Sequence, residues 1–316
     1  MPVLITITER GYIKRVPPSV YRTRGRGRRG VSGQELREED QMLIMIHART
    51  LHTVLFFSDR GKVYSQKAHQ IPEAGRADRG VPIINLLALG GDEHITAAVA
   101  VPGFDTSAAY FTMVTAKGRT KRVQLNEFIN VRPSGLIAIG LEGKDELGWV
   151  RLTSGEDDII IVTQRGKALR ISENEIRPMG RQAGGVTGIR LHPGDKVAAV
   201  EVVEPGSCLL LVTEHGFGKR TRIEDYPEKG RATGGVTTID QKTLELTGLI
   251  ASARVVQDDD EITAMTSAGM VLRLKVNTVR PSGRATRGLH LMDVASGDSV
   301  VSMARLKPED PGEVEE

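Results

Sequence analysis

The amino-acid sequence predicts an all-β fold made of six similar units, each about 50 residues long. A short glycine-containing motif recurs six times along the chain, and an apolar run rich in β-forming residues precedes each copy. Glycine accounts for 35 of the 316 residues, about 11% against the ~7% usual in proteins. Repeats of this length without long helical patterns are typical of blade-like β architectures, in which tight turns join short strands.

The recurring motif is Ser/Thr-x-x-Gly-x-x-x-Arg or Ser, as in the segment TQRGKALR. An apolar run such as IIIVT precedes each glycine and an alternating run such as KALRIS follows it. Each copy therefore predicts two strands joined by a glycine turn. We call these residues the anchor glycines. They are separated by 50, 57, 48, 50 and 53 residues and are Gly11, Gly61, Gly118, Gly166, Gly216 and Gly269.

A further apolar strand closes each unit, as in KVAAVEVV of the fourth unit and SVVSMARL of the sixth. The first unit has no such strand before its hairpin. We therefore expect the last strand, within residues 299–306, to pair near the N-terminal hairpin. Such pairing would close a ring and hide two sheet edges.

A second element, which we call the Gly-Arg loop, has the form Gly-Arg-x-x-x-Gly. It begins 14 residues after the anchor glycine in every unit except the third. Its glycines predict turns that need a positive φ or close backbone contact. Its arginine fits two roles, a cap on backbone carbonyls or a cation that reaches a phosphate, and the repeat leaves both open. The three defining residues of successive loops are Gly25, Arg26 and Gly30; Gly75, Arg76 and Gly80; Gly180, Arg181 and Gly185; Gly230, Arg231 and Gly235; and Gly283, Arg284 and Gly288.

The loop of the first unit carries additional arginines in the stretch RTRGRGRRG. Because Arg24, Arg28 and Arg29 repel one another, their clustering indicates contact with a polyanion. The stretch also spells G-x-G-x-x-G, which in dinucleotide-binding proteins lies in a βαβ unit with an acidic residue about 20 positions on. No acid occurs from residue 41 to residue 58, so the sequence argues against a dinucleotide site.

The body of the chain is basic and its end is acidic. Five acids and one lysine give residues 307–316 a net charge of −4, so residues 1–306 carry +7 although the whole chain carries +3. This asymmetry is typical of nucleic-acid-binding proteins. The single cysteine, Cys208, excludes an intrachain disulfide and a Cys-based zinc site. No apolar run approaches the ~18–20 residues of a membrane helix.

Two segments resemble a known family. GYIKRVPPSVYRTRGRGRRGVSG and HTVLFFSDRGKVYSQKAHQIPEAGRADRGVPIINLL are similar to the C-terminal domain of DNA gyrase A, whose fold is a six-bladed, propeller-like β-pinwheel. The resemblance covers residues 1–306, which are expected to form a single domain with about 50 residues per blade. Residues 307–316 are expected to be a disordered acidic tail.

The resemblance implies a DNA-wrapping function. Arg24 stands where the family motif usually has Gln, and Arg28 stands where it often has Gly, and both departures add positive charge. A handed wrap around the rim is what lets gyrase introduce negative supercoils with ATP. The segment that matches the family's DNA-binding box consists of Arg24, Gly25, Arg26, Gly27, Arg28, Arg29 and Gly30.

The resemblance also implies which activities lie elsewhere. The family's cleavage tyrosine belongs to the N-terminal part of gyrase A, and ATP is hydrolysed by gyrase B. We therefore expect no catalytic residue, metal or cofactor in this chain, with ATP and magnesium used elsewhere in the holoenzyme. The expected partners are double-stranded DNA and, in an A2B2 holoenzyme, the rest of gyrase A together with gyrase B. The isolated domain is expected to be a monomer without membrane contact, in the bacterial cytoplasm near the nucleoid.

Basic residues outside the box are expected to line the DNA-binding rim through phosphate contacts without sequence specificity. Aromatic residues make up only 4% of the chain, which disfavours stacking on single strands. Two alternative functions remain, the equivalent C-terminal domain of topoisomerase IV and a propeller that serves as a protein-interaction scaffold. The rim candidates are Lys14, Arg15, Arg22, Arg76, Arg79, Lys121, Arg122, Arg170, Arg181, Lys219, Arg220, Arg222, Arg231, Arg273, Arg284 and Arg287.

Overall fold

The computed structural model describes residues 1–17, 42–75, 78–104, 109–268 and 270–306. The predicted acidic tail lies outside these residues. In chain order the strands are β1 (Pro2–Thr8), β2 (Tyr12–Val16), β3 (Met42–Arg49), β4 (Thr53–Ser58), β5 (Lys62–Lys67), β6 (Val81–Pro82), β7 (Ile95–Val101), β8 (Tyr110–Thr115), β9 (Arg119–Gln124), β10 (Leu136–Ile137), β11 (Leu147–Thr153), β12 (Asp158–Thr163), β13 (Lys167–Ser172), β14 (Val186–Thr187), β15 (Val197–Val202), β16 (Cys208–Thr213), β17 (Phe217–Arg222), β18 (Val236–Thr237), β19 (Ile250–Val256), β20 (Glu261–Thr266), β21 (Val271–Lys275), β22 (Leu289–His290) and β23 (Val300–Leu306).

Helical structure in the described residues is confined to single turns. One short α-helix, α1 (Leu244–Thr247), lies in the fifth unit. The 3-10 turns are Ala68–Gln70, Ile83–Asn85, Leu125–Phe128, Glu173–Glu175, Ile223–Asp225, Gln241–Thr243 and Val276–Thr278.

The strands form six antiparallel sheets, which we call blades 1 to 6 in chain order of their hairpins. Five blades have four strands, and blade 6 has three within the described part of the chain. The all-β, six-bladed fold expected from the repeat is therefore confirmed. The strand orders are β3-β1-β2-β6, β7-β4-β5-β10, β11-β8-β9-β14, β15-β12-β13-β18, β19-β16-β17-β22 and β23-β20-β21.

The outermost strand of each four-stranded blade comes from the following unit. In blade 1, Tyr12 and Ile13 of β2 pair with Pro82 and Val81 of β6, although β6 belongs to the second unit. The same exchange joins β5 to β10, β9 to β14, β13 to β18 and β17 to β22. The Gly-Arg loops of the second, fourth, fifth and sixth units, each followed by an exchanged strand, therefore lie at the edge of the preceding blade.

The closing strands lie next to one another around the centre of the ring. Successive contacts join β3 to β7, β7 to β11, β11 to β15, β15 to β19, β19 to β23 and β23 back to β3. Because these strands form one edge of every blade, the opposite edge, which carries the exchanged strands and the Gly-Arg loops, is the perimeter of the ring.

The expectation for the last strand was wrong about its partner. β23 pairs antiparallel with β20 of its own unit, from Glu261 opposite Leu306 to Thr266 opposite Val300. It is thus the inner strand of blade 6, and it lies beside β3 without forming a ladder with the N-terminal hairpin. The closing strand of the sixth unit plays the same role as the closing strands of the other five.

The Ser/Thr-x-x-Gly motif is explained by the hairpin turn. Gly118 has φ +79°, the left-handed conformation that glycine adopts without strain, and its amide donates to the carbonyl of Thr115 at 2.9 Å. The Thr115 hydroxyl then accepts the amide of Arg119 at 3.1 Å. The same hydroxyl-to-amide bond recurs at Thr8, Ser58, Thr163, Thr213 and Thr266.

The hydrophobic core lies between neighbouring blades. Between blades 2 and 3, the rings of Phe57, Phe111 and Phe128 pack edge to face, with centroids 5.3–6.1 Å apart. Further clusters of buried aliphatic side chains join blades 1 and 2, 3 and 4, 4 and 5, and 5 and 6. Because these clusters lie between neighbouring sheets, the blades pack face to face. Each edge-to-face aromatic pair contributes about 0.5–1.5 kcal/mol in addition to the free energy gained by burying its apolar surface.

Candidate nucleic-acid interface

In the four Gly-Arg loops whose last glycine the structure describes, that glycine has the structural role that the sequence predicts. Gly80, Gly185, Gly235 and Gly288 have φ between +70° and +89°. A Cβ on any of them would lie 2.4–2.6 Å from a carbonyl oxygen on the second strand of the preceding blade. This glycine is needed where the loop meets that strand.

The first glycine of the loop behaves differently. Gly180, Gly230 and Gly283 are outside the left-handed region, and nothing lies within 4 Å of a Cβ built on them. In these three loops the structural requirement predicted for both glycines holds only for the last one, whereas a Cβ on Gly75 would lie 2.9 Å from a carboxylate oxygen of Asp78.

Three of the predicted rim lysines are buried. Lys14, Lys121 and Lys219 follow their anchor glycines by three residues and are 9%, 0% and 1% exposed. The Lys219 ammonium donates to the carbonyls of Gly283 and Arg284 at 2.6 Å. Burial lowers the pKa of Lys121 and Lys219 to about 8 and lowers the pKa of Lys14. These amines bind the backbone of Gly-Arg loops rather than solvent.

Four predicted rim arginines brace the following unit. Arg15, Arg170 and Arg220 each donate to a carbonyl at the 3-10 turn of the next unit. Arg122 instead bonds Glu173 at 3.2 Å, a carboxylate with no exposed surface. Each of the four also pairs with a carboxylate, and Arg122 and Arg220 are nearly fully buried. Only some of the hairpin cations therefore reach the surface. Adjacent residues such as Lys121 and Arg122 are both buried, because a neighbouring blade covers each face of the sheet.

The remaining described candidates reach the surface. Arg222 and Arg231 are exposed. Arg79 lies over the Tyr12 ring at 3.9 Å, and Arg287 lies over the Phe217 ring at 5.7 Å. Arg273 is exposed and pairs with Glu261 in its own hairpin.

The loop arginines of units 4, 5 and 6 have no cap role among the described residues. Arg181 and Arg284 are half-buried, and Arg231 is exposed. Arg181 lies 3.8 Å from Glu127, a contact of partly exposed side chains that contributes about 0–1 kcal/mol. In units 4 and 6 the carbonyls of the loop are capped by the buried lysines Lys121 and Lys219 instead. Of the two roles that the repeat left open, the outward-facing cation fits the geometry of these arginines.

The Gly-Arg loops are joined along the perimeter. The amide of Gly140 donates to the carbonyl of Ala183, and the amide of Ala232 donates to the carbonyl of Gly188. The amide of Asp240 in unit 5 donates to the carbonyl of Thr286 in unit 6. A surface groove between these last two loops is lined by Lys167, Gly235, Val236, Thr237, Arg284 and Ala285. In units 3 to 6 these bonds link the segments on the perimeter into one backbone strip that carries cations at intervals.

Sequence reasoning missed further exposed cations beside the loops. Arg132, Arg177 and Arg280 lie in Arg-Pro pairs just before the loop position, and Lys229 immediately precedes Gly230. Aligning the units on their Gly-Arg loops shows this recurrence and is the signal that would have found them. The structure therefore adds four cations to the perimeter.

The box itself lies outside the described residues, as do Arg22 and Arg76. Within the described ranges, no cluster of three or more His, Cys, Asp or Glu side chains is arranged to hold a metal ion. The same part of the chain contains no helix long and apolar enough to span a membrane.

Comparison with known proteins identifies the family. A family model described as "DNA gyrase C-terminal domain, beta-propeller" matches residues 2–45, 52–102, 109–154, 157–204, 209–257 and 260–307, one segment for each unit. The chain belongs to the DNA gyrase C-terminal domain family. The family resemblance expected from the two quoted segments is confirmed.

Relatives cover nearly all of this gyrase-type domain. The DNA gyrase A protein of Halalkalibacterium halodurans is 50% identical over 308 residues, which are 98% of this chain and 37% of that protein. The DNA gyrase A protein of Escherichia coli K12 is 41% identical over 304 residues, which are 96% of this chain and 34% of that protein. The chain spans little more than a third of the length of these relatives.

Two solved structures share the fold. A crystal structure of the C-terminal domain of DNA topoisomerase IV superposes with a TM-score of 0.81 at 27% identity and covers 98% of this chain and 94% of that one. A structure of a DNA gyrase A C-terminal domain gives a TM-score of 0.80 at 26% identity, with 96% and 99% covered. The gyrase and topoisomerase IV domains are therefore equally close in shape to this domain.

Proposed function

We propose that this domain binds duplex DNA along its perimeter and bends it around the ring. The observation that carries the proposal is the position of the Gly-Arg loops. Arg181, Arg231 and Arg284 occupy the same place in three successive loops on the outer edge of blades 3, 4 and 5. None of the three caps a carbonyl of the described residues, so their guanidinium groups are available to phosphates.

A perimeter of repeated cations suits DNA bending. DNA has a persistence length of about 50 nm, so bending it around a small protein costs several kcal/mol. Many phosphate contacts spaced along the path are needed to offset that cost. Each neutralised phosphate releases counterion and contributes about −0.9 to the slope of log affinity against log salt. The proposed contacts read phosphate and not base edges, so binding is expected to vary little with sequence.

In the intact protein, the proposed role is to wrap DNA with a defined hand and so support ATP-dependent negative supercoiling by gyrase. The proposed partners are the rest of gyrase A and gyrase B, and strand cleavage and ATP hydrolysis are assigned to those parts. This domain alone is then a non-catalytic monomer, and its proposed place is the bacterial cytoplasm at the nucleoid.

The nearest alternative is the equivalent domain of topoisomerase IV. Overall shape does not separate the two, because the TM-scores are 0.81 and 0.80. The Arg-rich stretch Arg24–Gly30 favours gyrase, because that box is absent or degenerate in the topoisomerase IV domain. A protein-interaction scaffold is disfavoured by the recurrence of exposed arginines on one edge of the ring.

A topology assay tests the proposal. Closed circular DNA is relaxed by a topoisomerase with the domain bound, and the sign and size of the trapped linking difference are measured after the protein is removed. We expect a linking difference of one sign that falls when Arg181, Arg231 and Arg284 are replaced together by Gln.

The matched control replaces Arg60, Lys117 and Arg165 together by Gln. These three exposed cations precede their anchor glycines at the hairpin turns and lie outside the Gly-Arg loops, and their replacement removes the same number of charges. We expect the control to trap almost as much linking difference as the wild type. Equal losses in the two triple variants, or no linking difference for the wild type, would contradict wrapping along the perimeter.

A further inference from the structure

The residue three positions after the anchor glycine divides the units into two sets. It is Lys14, Lys121 and Lys219 in the first, third and fifth units, and it is an uncharged residue in the other three. Because each Gly-Arg loop lies on the preceding blade, these lysines contact the loops of the second, fourth and sixth units. The loop of the fifth unit lies on blade 4, where Leu169 occupies the equivalent position.

Each lysine donates to several carbonyls of one loop. Lys121 Nζ donates to the carbonyls of Arg181 and Ala183, the latter at 3.0 Å, and to that of Ala138 at 2.8 Å. Lys219 Nζ donates to Gly283 and Arg284 at 2.6 Å and to Thr286 at 3.4 Å. Lys14 Nζ donates to Gly75 at 3.1 Å and Asp78 at 2.7 Å. We call each arrangement a lysine cage.

The caged loops share one backbone turn. In each of them, the fourth residue donates its amide to the carbonyl of the first glycine. The pairs are Asp78 to Gly75 at 3.2 Å, Ala183 to Gly180 at 3.1 Å and Thr286 to Gly283 at 3.3 Å.

The uncaged loop adopts a different conformation. Ala232 has φ +60°, a left-handed conformation that costs an L-residue about 1–2 kcal/mol. The threonine hydroxyl bonds the first glycine's carbonyl in both the fifth and the sixth loop, from Thr233 at 3.2 Å and from Thr286 at 2.9 Å, but only the Thr286 amide also bonds it. The loop's own sequence does not explain this. The fifth and sixth loops both begin Gly-Arg-Ala-Thr, and the glycine that follows in the fifth loop, Gly234, also has a counterpart in the caged fourth loop, Gly184. The difference that accompanies the change of shape is Leu169 in place of a caging lysine.

We propose that Lys121 and Lys219 are positioning residues that set the conformation of the following Gly-Arg loop and so hold Arg181 and Arg284 in place for phosphate contact. Each lysine bonds the carbonyl of the arginine itself, which fixes the backbone from which the guanidinium extends. The perimeter then presents preordered contacts in the fourth and sixth units and an adaptable contact, Arg231, between them. Preordered groups bind with less loss of conformational entropy. The inference rests on the proposed DNA contact.

A double-mutant cycle on the sixth loop tests the inference. Lys219→Met and Arg284→Gln are each expected to lower the affinity for DNA by about 3–10-fold. Because the lysine is proposed to act through the arginine, the double variant is expected to bind DNA as well as the single variant of lower affinity. The control combines Lys219→Met with Arg181→Gln, two units away, where the losses are expected to multiply. Losses that multiply in both pairs would overturn the positioning role.

A measurement on the wild type avoids dependence on the folding of a buried variant. The amides of Thr233 and Thr286 occupy the same place in the identical sequence Gly-Arg-Ala-Thr, one in the uncaged loop and one in a caged loop. Hydrogen exchange followed by NMR is expected to show slower exchange at Thr286. Equal exchange at both sites would overturn the cage.

The two proposals fail in different ways. If Arg284→Gln leaves DNA binding and wrapping unchanged, the perimeter contact itself is wrong at this loop. If Arg284→Gln weakens binding while Lys219→Met, confirmed as folded by circular dichroism, has no effect, the perimeter contact stands and the positioning role is refuted.

Discussion

Replacement of Gly185 by alanine is expected to detach an exchanged strand from its blade. Gly185 has φ +77°, and a Cβ there would lie 2.4 Å from the carbonyl oxygen of Thr120. The left-handed conformation costs an alanine about 1–2 kcal/mol. Overpacking against rigid backbone typically costs a further 1–3 kcal/mol. The sum, about 2–5 kcal/mol, is expected to loosen β14, which immediately follows this glycine and pairs with β9.

Thermal and chemical denaturation measure this effect. If the ring melts as one unit, an entropy of about 2.1 cal/mol/K per residue converts the loss into a fall in Tm of roughly 3–8 °C. Gly180→Ala is the matched control, because Gly180 begins the same loop, is not left-handed and has open space around its Cβ. We expect this control to be neutral or slightly stabilising, by up to about 1 kcal/mol. The reasoning is refuted if the two variants have the same stability.

Three further predictions follow from the buried cations and from the box. Arg122→Met is expected to lower the free energy of unfolding by about 3–5 kcal/mol, because it leaves the buried Glu173 carboxylate without its ion pair. Urea denaturation measures this loss, and adding Glu173→Met should restore stability if the unpaired carboxylate is its cause. Burial lowers the pKa of Lys121 and Lys219 to about 8, so between pH 8 and about 10.4 the unfolded chain binds more protons than the folded protein. In this range the free energy of unfolding of the wild type should rise with pH relative to that of a Lys121→Met, Lys219→Met variant, by at most about 1.4 kcal/mol per pH unit for each lysine. If the two proteins show the same dependence of stability on pH, the lowered pKa values are wrong. Replacement of Arg24, Arg26, Arg28 and Arg29 by alanine is expected to abolish DNA bending, measured by FRET, while some DNA binding remains because the other units stay basic. Bending that is retained in this variant would refute the role of the box.

The six-bladed fold was predictable because its signals are local. The hairpin turns of the first five units each contain a glycine in the left-handed conformation. Glycine adopts this conformation without strain, so the turns are marked in the sequence by a glycine at intervals of about 50 residues. The exchange of outer strands was not predictable in this way. A two-residue strand such as Val186–Thr187 carries no pattern that says which sheet edge it joins.

The candidate site was only partly predictable for a related reason. A lysine three residues after a turn usually lies at the surface. Lys121 is buried instead, and the carbonyls that accept hydrogen bonds from its ammonium group belong to residues up to 62 positions away in the sequence. Backbone carbonyls have no sequence signature, so only the tertiary structure reveals the cage. The loop arginines were predictable as a repeat, but the choice between a capping and an outward-facing role needed the structure.

The exchanged strands determine how the ring bears load. A Gly-Arg loop is covalently part of one unit, while the strand that follows it is hydrogen-bonded to the blade before it. Under the proposed DNA contact, tension on a loop would therefore be divided between two neighbouring blades. A load at one point of the perimeter thus engages two units, which a ring of self-contained blades would not do.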